Sequence, residues 1–74
     1  MKNQMIEKMY DELFMINKEV ASLNSFLPKD KQIDLTDSQY KVVVLGNKLA
    51  DGSLTEEEIF TELNVANQMY SKVA

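Results

Sequence analysis

The chain has no cysteine, histidine, tryptophan or arginine. Each absence removes a class of function. Without cysteine there is no disulfide and no thiolate to bind metal or attack a substrate. Without histidine, the usual general base and the main transition-metal ligand are missing as well. Without arginine there is no planar fork to grip phosphates or guanine edges. All eight basic residues are lysine, against twelve Asp and Glu, which leaves a net charge of −4. An acidic surface repels nucleic acid and anionic lipid, so neither is expected as a partner. No apolar run approaches the roughly 18 residues of a membrane span. Met1-Lys2-Asn3-Gln4 leads into an amphipathic pattern with acids inside it, unlike a signal peptide. A cytoplasmic location is expected, and the Lys, Asn, Glu and Met content suits a bacterial or phage protein.

What is present points to helices. A chain of 74 residues allows a single small domain, residues 1–74, whose stability comes from helix packing or from a partner. The stretches Leu35–Tyr40 and Leu54–Ile59 both read apolar, Thr, two polar residues, Gln or Glu, apolar. That is a capping box inside a hydrophobic staple, in which Thr36 pairs with Gln39 and Thr55 with Glu58. Two helix starts are predicted there.

A longer amphipathic segment precedes them, from about Asn3 to Phe26. Ile6, Met9, Leu13, Ile16, Val20, Leu23 and Leu27 recur at alternating steps of three and four, a heptad stripe. Such a helix would be about 35 Å long, and it should end before Pro28. Pro28–Asp34 reads as a polar connector. The second helix runs from Asp37 to about Ala50, although Val42-Val43-Val44-Leu45 favours a strand by propensity. No second strand is available to pair with it. Gly46 inside this helix costs about 1 kcal/mol relative to Ala, a cost consistent with close approach of a neighbouring helix. Gly52 is placed to end it in left-handed geometry. The third helix runs from Glu56 to about Lys72, with a stripe of Ile59, Leu63, Ala66, Tyr70 and Val73. The fold class is therefore all-α: a three-helix bundle with a long N-terminal helix and a C-terminal helix-Gly-turn-helix hairpin.

Chemical constellations are few. Asn47–Glu58 resembles the second half of an EF-hand calcium loop, with Gly52 at the sharp turn and Glu58 as the closing ligand. A ligand position then falls on Leu49, which has no oxygen, whereas calcium takes six to eight. A degenerate metal-responsive module is kept as an alternative, but the segment reads better as a helix end and turn. Val42–Lys48 lacks the glycine and lysine spacing of a phosphate-binding loop. Glu56-Glu57-Glu58 suits the positive end of a helix dipole. No cofactor, metal site or catalytic cluster is expected, and the chain is read as a non-enzyme.

The excess lies in the first helix. Tyr10, Phe14 and Ala21 form a second apolar face beside the heptad stripe, and Met1, Met5, Met9 and Met15 add adaptable surface. Met5, Tyr10, Phe14 and Met15 are therefore the candidate partner-binding residues, expected to stay exposed in the monomer or to be covered by another chain. The order of helix, polar connector and helix-Gly-turn-helix is similar to that of many short bacterial regulators, among them the antitoxins that block Fic enzymes. Their inhibitory Ser/Thr-x-x-x-Glu-Gly/Asn motif has no match, since Ser22–Leu27 lacks the Glu, so that activity is not carried over. The expected function is that of a small acidic protein-binding module, a regulator, inhibitor or accessory subunit acting through its N-terminal helix. The partner is another protein or a second copy of the chain. A structural homo-oligomer built on the first helix's heptad is the further alternative.

Overall fold

The first helix meets no glycine or proline for 27 residues, and the computed structural model shows one unbroken helix, α1 (Lys2–Ser25). It describes residues 2–74, with the side chains from Gln4 onward. Met1, counted above among the methionines of this segment, lies outside the described residues. A 3-10 turn (Lys29–Lys31), α2 (Thr36–Asp51) and α3 (Glu56–Val73) follow. There is no strand among the described residues, and Val42–Leu45 is helical. The helices run up, down and up: Ser38 at the start of α2 bonds Asn17, and Tyr70 near the end of α3 reaches Glu19. The bundle is 42 Å long and about 17 Å across.

α1 is the spine. Its packing against α3 is the most extensive of the bundle, and α2 lies along a second side. Ile6, Leu13, Leu45, Leu54, Ile59, Leu63 and Ala66 form one buried cluster, with Met9, Tyr10, Ile16, Val42 and Leu49 packed against it. Of the heptad stripe predicted for the first helix, Ile6, Leu13 and Val20 are buried within this chain, and Met9, Ile16, Leu23 and Leu27 are half-buried.

The helix ends show which local signals prevailed. At α3 the box forms as its sequence predicts: the Glu58 N–H donates to Thr55 Oγ1 at 3.2 Å, and the Thr55 N–H to Glu58 Oε1 at 3.3 Å. Thr55→Ala should cost about 1 kcal/mol, read from urea unfolding. At α2 the expected box is absent. Thr36 gives its N–H and its hydroxyl to Asp34 Oδ1, at 3.0 and 2.7 Å, and the Gln39 N–H bonds Leu35 O. A carboxylate two residues ahead is a stronger acceptor than the neutral Gln39 amide. It captures the Thr36 hydroxyl, and the helix begins one residue earlier than predicted. At its other end, α2 stops at Gly52 (φ 81°), whose left-handed backbone lets Ser53 N–H reach Lys48 O at 2.9 Å and Gly52 N–H reach Leu49 O at 3.3 Å. This is a Schellman closure.

The connector is held by a residue outside the predicted stripes. Asn24 is buried and bonds both backbone groups of Ile33: its Nδ2 donates to Ile33 O at 3.1 Å, and its Oδ1 accepts from Ile33 N at 2.9 Å. This two-point grip turns the chain back along α1.

Three carboxylates hold the turns, and each lies below its ordinary pKa. Asp34 is lowered by the Thr36 hydroxyl and then its N–H, and Asp51 by Ser53. Glu58 is lowered first by Lys48 and then by Thr55. A group lowered on folding stabilises above its unfolded pKa and loses that contribution as pH falls through the folded value. Thermal stability should therefore hold near neutrality and drop below about pH 4. A melting series across that range checks it.

Candidate functional site

Residues seven apart in a helix lie on one face two turns apart. Tyr10 and Asn17 are such a pair, and each joins α1 to α2. The Tyr10 hydroxyl donates to Val42 O at 3.0 Å. Asn17 donates from Nδ2 to Leu13 O at 3.1 Å, and its Oδ1 accepts from the Ser38 hydroxyl. Phe14 lies between these two clasps, one turn from Tyr10. It is 49% exposed and stands at a groove of about 230 Å³ formed with Asn17, Lys18, Ala21, Gln39 and Val42. The second apolar face predicted for α1 is real in its spacing, and α2 lies along its edge.

The four candidate residues therefore separate. Tyr10 does not stay exposed as expected. It packs against the core and its hydroxyl is bonded, and desolvation there pushes its phenol pKa up, with Asp11 adding to the shift. The reason is Gly46. A Cβ at that position would come within 2.6 Å of the Tyr10 hydroxyl, so the glycine makes the room that lets the ring reach α2. Met5, Phe14 and Met15 are exposed, but they do not share a surface. At about 100° per residue, Met15 is a quarter turn from Phe14 and Met5 is on the opposite side of α1. Only Phe14 faces the groove. Asn17, Gln39 and Val42 complete it and were not singled out from sequence. The signal for Asn17 was there, since it falls three residues after Phe14 and four before Ala21.

The clasp and the glycine should be energetically coupled. Tyr10→Phe removes the bond to Val42 O and should cost about 1 kcal/mol. Gly46→Ala should gain helix propensity but collide with the hydroxyl. The same substitution made on the Tyr10→Phe background should be clearly more favourable than on the parent. A double-mutant cycle by urea unfolding reads the coupling, and strict additivity would mean that Tyr10 does not occupy the space at Gly46.

The other openings are more polar. A cleft of about 330 Å³ between α2 and α3 is lined by Lys41, Glu57, Glu58 and Glu62. Its charges are partly paired, Lys41 with Glu62 at 3.8 Å and Lys48 with Glu58. In the calcium-like segment, Asp51 Oδ1 accepts from Ser53 N and both Glu58 oxygens accept from Thr55 or Lys48. Asn47 lies in the body of α2. No group of three Asp or Glu residues is placed to hold a metal among the described residues. Millimolar calcium should leave the melting temperature unchanged, whereas a rise abolished by Glu58→Gln would favour a metal-responsive module. No helix among the described residues is long and apolar enough to cross a membrane.

Comparison with protein-family models, with curated protein sequences and with solved structures gives no match.

Proposed function

We propose that this chain is a small, acidic, non-enzymatic module that binds another protein, as a regulator, inhibitor or accessory subunit. The contact centre is Phe14 with the groove beside it. The observation that carries the reading is the half-exposed Phe14 ring, which lines an apolar groove and lies between two side chains that clasp α1 to α2. An aromatic anchor on a rigid, pre-formed surface is the usual centre of a protein interface.

Met15 supplies an internal control, being exposed on α1 but away from the groove. The chain is used as bait in its native host, and what co-purifies is identified and titrated against purified bait. Phe14→Ser should abolish the interaction while the circular dichroism spectrum stays helical, and Met15→Ser should leave it intact. Equal loss from both, or from neither, would move the contact away from the groove.

A further inference from the structure

α2 is the least anchored of the three helices. Among the described residues, Leu45 alone is buried on α2, whereas α3 buries Ile59, Leu63, Ala66 and Val73. α1 packs on both, but α2 and α3 make little direct contact with one another. The cleft of about 330 Å³ lies between them, crossed by the ion pairs Lys48–Glu58 and Lys41–Glu62. Partly exposed pairs of this kind stabilise little. Toward α1, the two clasps are polar: the Tyr10 hydroxyl on Val42 O and the Ser38 hydroxyl on Asn17. The outer side of α2 meets solvent, with Tyr40 69% and Val43 61% exposed.

The sequence of α2 holds it weakly as well. Val42-Val43-Val44 and Gly46 are poor helix formers. A helix of 16 residues with these in its middle is marginal at best alone in water, so α2 depends on docking to stay helical. Its two ends are set as pivots. Asn24 pins the connector at Ile33, just before α2. Gly52 turns the chain just after it, with a left-handed φ of 81°. α1 and α3 meanwhile run the same way and share the most extensive packing of the bundle. Val20 and Val73, one on each, are buried outside the cluster that holds Leu45.

We propose that α2 opens as a unit from a paired α1 and α3, melting as it leaves and redocking, with Ile33 and Gly52 as its pivots. Few buried apolar contacts and much exposed surface mark the segments of a native protein that open first. The consequence is for the Phe14 groove. Gln39 and Val42 line it from α2, so the groove exists only while α2 is docked. The docked form predominates, and in it the groove is ready-made. On the reading proposed above, on which this consequence rests, whatever favours the open form weakens binding, and binding holds α2 closed.

Native-state hydrogen exchange of the full chain, at residue resolution and in urea below the unfolding transition, tests the opening without a partner. Amides in the middle of α2, such as that of Leu45, should exchange together. They should be protected at least about tenfold less than those of Leu13 and Leu63. Their dependence on urea should also be weaker, because opening exposes less surface than global unfolding. Val20→Ala should weaken the protection of α1 and α3 and leave that of α2 unchanged, since Val20 stays covered when α2 opens. Tyr10→Phe removes a bond that opening breaks, and should speed exchange in α2 about fivefold. One common protection and urea slope for all three helices would overturn the proposal. So would a Val20→Ala variant that speeds exchange in α2 as much as in α3. The Phe14 contact would survive either result, and loss of that contact would leave this measurement as it stands.

Discussion

Ile59→Ala should lower the unfolding free energy by about 3–5 kcal/mol. Ile59 is 0% exposed and sits in the first turn of α3, where its N–H donates to Thr55 O at 3.2 Å. It belongs to the cluster that joins α1, α2 and α3, so a cavity there loosens all three helices. A domain of this length is held by only about 4–11 kcal/mol in total. The variant should therefore lose a large share of its stability, seen as a marked fall in the urea midpoint. A loss under about 1 kcal/mol would place the core elsewhere.

Asn24→Ala should cost about 2 kcal/mol, a large effect for one polar residue. The substitution leaves the Ile33 N–H and C=O without their partners and frees the connector from α1. Ile33 is only half-buried, so water recovers part of the loss. Hydrogen exchange gives the specific readout. The Ile33 amide should lose its protection while amides in the middle of α1 keep theirs. Retained protection at Ile33 would mean that the connector is held by other contacts.

These two residues also show how far the sequence could be read. α3 was legible from end to end because its signals are local. Thr55, Glu58 and Ile59 lie within one turn, and nothing distant competes with them. The start of α2 carried the same signal and folds differently, because Asp34, just outside the expected box, takes the Thr36 hydroxyl. Asn24 could not be read as a core residue. It is polar, it stands beside Leu23 of the stripe, and its partner is backbone nine residues away. Tyr10 was placed on the right face and given the wrong neighbour. Whether that face meets water or α2 depends on how the helices pack, and the clue was Gly46, on another helix. The candidate binding residues were chosen by type within α1. Helical geometry then sends Met5, Phe14 and Met15 in three directions, and only Phe14 meets a groove, which α2 helps to line through Gln39 and Val42.

Leu13 and Phe14 are adjacent in sequence and opposite in role. Leu13 is 2% exposed and buried in the main cluster, whereas Phe14 is half-exposed beside the groove. The direct measurement is urea unfolding of Leu13→Ala and Phe14→Ser side by side with the parent. Leu13→Ala should lose about 3–5 kcal/mol. Phe14→Ser should lose about 1 kcal/mol or less, in the range of surface substitutions and lightly buried side chains. That difference would show Phe14 to be dispensable for the fold and free to serve a partner. Comparable losses from the two variants would contradict the account, because Phe14 would then be a core residue.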